Sequence, residues 1–169
     1  MNATTVQKPV QLKVLRPEIL SRLPGGGLPA YGSNAAAGAD LFAALDQELT
    51  LAPGATAFIP TGIAIHMADP GLCALILSRS GLGTKQGLVV KQGVGLIDAD
   101  YQGEILVALH NISEESRVVK PGDRIAQLML TPVLRADWVP VDEFTAATVR
   151  GAGGFGSTGI GFVLGEKLC

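Results

Sequence analysis

The chain reads as an all-β domain of the sandwich, barrel or jelly-roll kind. Three observations predict this. Short apolar runs rich in Val, Ile and Leu recur along the sequence: LTLAPG, TAFIPTGIAIHMADPG, LCALILSRS, GLVVKQGVGLID, GEILVALHNIS, SRVVKPGD, RIAQLMLTPVL and DWVPVDEF. Turn chemistry such as PG, DPG, NIS and KPGD closes most of them. No segment sustains a helical period. With 169 residues there is material for one domain with a substantial core.

In chain order, residues 1–10 look loose and VQLKVL alternates as a first strand. Residues 21–38, SRLPGGGLPAYGSNAAAG, form a long connection of Gly, Pro and Ala. ADLFAAL fits either strand or helix. The apolar runs above follow as strands, with one short helix expected after Ser80 in GLGTKQ. The tail differs, since seven glycines fall between Gly151 and Gly165. So much glycine forms no stable isolated element, and the tail is predicted to be mobile until something binds it. The expected organisation is a β domain over residues 1–149 and a C-terminal arm over 150–169.

Composition narrows the function classes. Hydrophobic residues make up 47% and charged residues 17%, with a net charge of −2. That is a folding composition, not a disordered one. No basic run is present, which argues against a nucleic-acid polymer as partner. A small anion remains possible, because a few Arg side chains and backbone N–H groups can hold one locally. Cys73 lies in an apolar run and reads as a buried thiol, and the other cysteine is Cys169, so no disulfide framework is indicated. No stretch has the length of a membrane span, and a cytoplasmic location is expected.

Five stretches carry candidate chemistry. GAGGFG (residues 151–156) has the G-x-G-x-x-G spacing, but only 13 residues follow it, so a dinucleotide fold has no room. Neither G-x-x-x-x-G-K-[ST] nor H-E-x-x-H occurs. With Arg150, Phe155, Ser157 and Thr158, the glycine-rich segment instead offers phosphate oxygens N–H groups, hydroxyls and a guanidinium, and it offers a base a ring to stack on. SRSGLG (78–83) is either a plain turn into a helix or, through Arg79, Ser80 and Gly81, an anion cradle. In PGDRIAQLML (121–130), Asp123 and Arg124 read as a surface pair. Gln127, among apolar neighbours, is either an outward position of the strand or a ligand-facing amide. Asp40 in AGADLFA (37–43) reads first as a turn-forming or paired structural acid. GVGLIDADYQG (93–103) is either an Asp-rich turn or, as a β-hairpin, a backbone surface for a planar ligand with Asp98 held to take a proton from water. His66 and His110 lack the companions of a metal site.

Taken together and in order, AGADLFA, SRSGLG, GVGLIDADYQG, PGDRIAQ and RGAGGFGSTG resemble the five motifs of the trimeric deoxyuridine triphosphatases, the dUTPases. PTGIAIHMADPG is also similar to bacterial members. The resemblance runs from about Val10 to Gly159. It implies a dUTPase-like β jelly roll, or distorted barrel, in a homotrimer whose active sites are shared between subunits. It implies hydrolysis of dUTP to dUMP and pyrophosphate with Mg2+, which keeps uracil out of DNA and supplies dUMP for thymidylate synthesis. Asp98 matches the general base that activates water against the α-phosphorus. Tyr101 matches the residue beneath the deoxyribose that excludes a 2′-hydroxyl. Arg79, Ser80, Gly81 and Gln127 match phosphate contacts, and Asp40 matches a supporting acid near the metal's waters. Gln92, Gly93 and Val94 belong to the base-reading segment, whose main chain is expected to select uracil. Arg150 matches the γ-phosphate ligand, Phe155 the ring over uracil, and Gly156, Ser157 and Thr158 further partners in the arm. The metal is expected to rest on substrate phosphates and water without a direct protein ligand.

The departures from the family pattern are Ser78, where bacterial members usually have Pro, Gln92, where Asn is common, and ten residues after Gly159. Two alternatives share the scaffold: a dCTP deaminase and a non-catalytic nucleotide-binding regulator. The first needs a base at the cytosine amino group, and the second would be expected to lose Asp98 or the arm.

Overall fold

The computed structural model describes residues 7–153. The chain divides into two units, Met1–Leu134 and Arg135–Cys169. The first is an antiparallel β structure of the jelly-roll class. Its strands are β1 (Gln11–Val14), β2 (Ala30–Tyr31), β3 (Ala39–Phe42), β4 (Leu49–Leu51), β5 (Thr56–His66), β6 (Leu72–Leu77), β7 (Leu88–Val90), β8 (Val94–Ile97), β9 (Glu104–Asn111), β10 (Arg117–Val119) and β11 (Arg124–Pro132). One sheet has the order β1-β5-β9-β7 and another β2-β3-β11-β6-β8, while β4 and β10 form a short ribbon. Alternation along the strands explains how the two larger sheets bury one shared core. Ile59, Ile63, Ile105 and Leu109 from the first sheet join Leu41, Ile76 and Leu128 from the second in a single apolar cluster.

The helix expected after Ser80 is α2 (Ser80–Gln86). The structure adds a helix the sequence reading did not expect, α1 (Pro17–Leu20). Pro17 stands at its start, where a missing N–H costs nothing, and Ile19 and Leu20 are buried. The long connection is also more ordered than expected, with a 3₁₀ turn at Pro24–Gly27 and then β2.

Two polar devices hold the sheets in register. β5 bulges between Pro60 and Ala64 against β9, and there Gly62 adopts φ +73°. That conformation suits glycine, and a Cβ there would crowd Ala44 and Leu20 at 3.1 Å. The Gly62 N–H donates to Glu104 Oε1 at 3.0 Å, and Arg16 grips both oxygens of the same carboxylate at 2.8 and 3.1 Å. This two-pronged bond to Glu104 raises the Arg16 pKa further above its ordinary value, so the guanidinium stays charged throughout the physiological range. Glu104 begins β9, so the clamp also anchors the end of the 93–103 segment.

The second device is Asn111, fully buried at the end of β9. Its amide nitrogen donates to the Leu51 carbonyl at 2.9 Å and the Glu115 carbonyl at 2.8 Å. Its oxygen accepts the Ser113 N–H at 2.9 Å and hydroxyl at 2.7 Å. Every polar atom of the side chain is satisfied, which is what a buried amide requires.

In the second unit, residues 135–153 carry no helix or strand. The strand expected in DWVPVDEF is not formed. Pro140 removes a ladder donor from the middle of that run, and Trp138 and Phe144 lie open at 86% and 91% exposure. The alternation has no partner strand among the described residues of this unit. Among the described residues, no helix is long and apolar enough to cross a membrane.

Asn111→Ala is expected to cost about 2–4 kcal/mol, because two carbonyls and an N–H lose their buried partner. Urea unfolding measures it, and a loss below about 1 kcal/mol would contradict the role given to this side chain.

Candidate active site

Strand register brings the motifs together. Asp40 on β3 pairs with Gln127 on β11, Gln127 pairs on its other side with Leu77 on β6, and Leu77 pairs with Val94 on β8. These four residues form one row across four strands. Stretches more than eighty residues apart in sequence therefore meet, because cross-strand neighbours sit about 5 Å apart. Arg79 lies two residues past Leu77, and Gln92 and Gly93 directly precede Val94.

Asp40 is the centre of the row. It is only 5% exposed, and an isolated carboxylate there would be costly. It is not isolated. Arg79 Nε donates to Oδ1 at 2.9 Å, Arg124 donates to Oδ2 at 3.1 Å, and the Gln127 amide donates to Oδ1 at 3.3 Å. Arg79 also donates to the Arg124 carbonyl at 3.1 Å. The paired-acid reading of Asp40 holds. The surface pair expected between Asp123 and Arg124 does not form: Asp123 accepts the Lys120 N–H at 2.8 Å within its own turn, and Arg124 reaches Asp40. Arg124 is the residue the sequence reading missed. The available signal was Asp40 itself, since a buried acid implies cationic partners, and one of them precedes Gln127 by three residues.

Arg79 directly precedes α2, and no side chain caps that helix start. Ser80 and Gly81 open the helix and are exposed. Ser78 has a clear local role. Its hydroxyl accepts the Val90 N–H at 2.8 Å and ties the end of β6 to β7, a contact that Pro could not make.

The segment 93–103 is not a hairpin. β8 pairs with β6 in one sheet, and the chain then turns and enters β9 in the other. It is a crossing between sheets. Gln92 and Gly93 are exposed at its entrance, and Val94 is 50% exposed on β8. Asp98 follows β8 at its far end and is exposed, with its carbonyl accepting the Tyr101 N–H at 3.2 Å. The Tyr101 hydroxyl donates to the Glu104 carbonyl at 3.0 Å, which fixes the ring over the turn. Gly103 makes room for it, since a Cβ there would overlap the phenol.

Strand geometry sets Asp98 apart from the row. It stands four residues beyond Val94, roughly 13 Å along β8. Val94, the end of the row, and Asp98 therefore lie at opposite ends of β8.

Arg150 belongs to the second unit, where its Nε donates to the Gly153 carbonyl at 2.9 Å. Phe155, Gly156, Ser157 and Thr158 lie outside the described residues, as does Cys169. Cys73 is a buried free thiol. His66 lies near the Gln11 amide oxygen, and His110 lies near the Thr56 hydroxyl and the Ala55 carbonyl.

Comparison with known proteins shows the family. Residues 26–159 match the sequence model of the dUTPase family. The deoxyuridine 5′-triphosphate nucleotidohydrolase of Xanthomonas oryzae pv. oryzae is 51% identical over 157 residues, covering 93% of this chain and 99% of that protein. A mutant of the Staphylococcus bacteriophage 80alpha dUTPase, solved with dUpNHpp, superposes with a TM-score of 0.78 at 27% identity, covering 91% of this chain and all of that one. A mutant dUTPase from phage phi11 of S. aureus, whose structure describes the coordination of a structural Mg(II) ion, superposes with a TM-score of 0.70 over 82% of this chain and all of that one. At 24% identity that last likeness speaks for the fold alone. The chain belongs to the dUTPase family.

Proposed function

We propose that this protein hydrolyses dUTP to dUMP and pyrophosphate, with Asp98 as the general base that orients and deprotonates the water attacking the α-phosphorus. The observation that carries the proposal is the row Asp40–Gln127–Leu77–Val94, which brings Asp40 and Gln127 onto one sheet with Val94 and with the strand that leads to Arg79. Relatives at about half identity along nearly their whole length, such as the Xanthomonas protein, are deoxyuridine 5′-triphosphate nucleotidohydrolases.

Attack on a triphosphate is limited by charge repulsion and positioning. Arg79, Ser80, the Gly81 N–H and the Gln127 amide receive the phosphate oxygens, and Arg150 joins them with Ser157 and Thr158 from the arm, residues 150–169. Among the described residues there is no group of three or more His, Cys, Asp or Glu fit to hold a metal. The donors around the row are mostly cationic, which suits a Mg2+ that would be carried by phosphates and water, with Asp40 as a supporting acid. When bound, it would neutralise phosphate charge. Phe155, with Gly156, closes over uracil and excludes other water. The main chain at Gly93 and Val94 reads the base, with Gln92 beside it, and the fixed Tyr101 ring leaves no space for a 2′-hydroxyl.

A separation of roughly 13 Å within one chain supports a site shared between copies. Asp98 of one copy meets the Asp40 row of another, and a homotrimer gives three such sites. Exposed apolar side chains support this assembly: Phe58 at 72% and Leu106 at 49% on the four-stranded sheet, and Leu96 at 62% on the edge strand β8. The reaction belongs with the nucleotide pool of the cytoplasm.

Pyrophosphate release with Mg2+ tests the substrate: dUTP is expected to be consumed at least about a hundredfold more efficiently than UTP or dCTP. Equal use of UTP, or ammonia release from dCTP, would overturn the reading. Asp98→Asn is expected to lower kcat by roughly a hundred- to ten-thousandfold while dUpNHpp still binds, and unchanged turnover would refute the base assignment. Deleting residues 150–169 is expected to cost at least about a hundredfold in kcat/KM while gel filtration shows the same oligomer, and full activity of the shortened chain would remove the arm from the site.

A further inference from the structure

We infer that Arg124 is a positioning residue of this active site, acting through Asp40 to set the phosphate donors. The inference rests on the proposed hydrolysis of dUTP and names a residue that it does not use. Asp40 has two oxygens, and they are divided. Oδ1 receives Arg79 Nε at 2.9 Å and the Gln127 amide at 3.3 Å, so one atom fixes both donors. Oδ2 receives Arg124 at 3.1 Å. Arg124 thereby sets the rotation of the carboxylate, and with it the point at which Arg79 and Gln127 converge.

The backbone adds a second link. Arg79 donates its other arm to the Arg124 carbonyl at 3.1 Å, so the same residue anchors Arg79 by main chain and Asp40 by side chain. A β-bulge between Arg124 and Ala126 shifts the register of β11 against β3, with Arg124 opposite Phe42 and Gln127 opposite Asp40. The bulge locally re-aims the strand at the position where Arg124 must reach Asp40. Charge follows the same logic. Two guanidiniums face one carboxylate, which leaves the cluster with one surplus positive charge where a triphosphate must dock. Without Arg124, the Arg79–Asp40 pair is neutral and Oδ2 has lost its partner, free to turn the carboxylate away from Gln127.

The test uses the full-length protein and the variants Arg124→Ala, Arg124→Gln, Arg124→Lys, Asp40→Asn and Arg124→Ala/Asp40→Asn. The readouts are kcat/KM for dUTP with Mg2+, dUpNHpp affinity, and oligomer size with thermal midpoint as folding controls. Arg124→Ala and Arg124→Gln are each expected to lose roughly ten- to a hundredfold in kcat/KM and to weaken dUpNHpp, with Arg124→Lys recovering part of both. The double variant is expected to be little worse than Asp40→Asn alone, because Arg124 acts through Asp40. If Arg124→Ala does not fold, Arg124→Gln carries the same comparison, since it keeps the aliphatic stem and a polar tip while removing the charge and the reach to Asp40 Oδ2. Wild-type kcat/KM in a folded Arg124→Gln protein, or losses at positions 40 and 124 that simply multiply, would overturn the inference. A wild-type protein that leaves dUTP intact would instead defeat the proposed reaction.

Discussion

A buried carboxylate that must be paired organises this protein. Asp40 sits in the middle of a sheet face where water cannot solvate it. Its burial is tolerable only with donors on both oxygens. The fold supplies them from three other places in the chain: the end of β6, the start of β11 and the middle of β11. Each of those segments is held by strand pairing rather than by loop chance. The donors that balance Asp40 thus stand in a fixed array before any ligand arrives, which is the preorganisation that phosphoryl chemistry needs.

On the proposed mechanism, the same sheet makes one chain insufficient. β8 is an edge strand, with Gln92 and Gly93 just before it and Asp98 just after it. The Glu104 clamp on Arg16 and Gly62 fixes the turn that bears Asp98 and Tyr101. Apolar side chains left open on the outer face of the four-stranded sheet are what association would cover.

Much of the fold was legible because long apolar runs between turn residues announce strands, as in β5, β6, β9 and β11. Short elements were not. α1 is four residues long, and only the burial of Ile19 and Leu20 makes it a helix. Residues 137–144 show the reverse case, where alternation reads as a strand but no partner strand lies among the described residues of that unit. In the site, Asp40 was legible as a paired acid, and the β6–α2 junction was legible from its glycines. Arg124 was not, since its partner lies 84 positions away and local reading offered Asp123 instead. The hairpin expected at 93–103 failed for a topological reason: alternation describes each strand but does not say which sheet it joins.

On the proposed mechanism, the base and the phosphate donors of one site come from different copies of the chain. Complementation tests it most directly. Asp98→Asn and Arg79→Ala proteins, each inactive alone, are unfolded, mixed and refolded together, and dUTP hydrolysis is measured across mixing ratios. Shared sites predict that activity returns in the mixtures and peaks at intermediate ratios, because some interfaces then join an intact Asp98 to an intact Arg79. Mixed oligomers that form and remain as inactive as either parent would contradict the account.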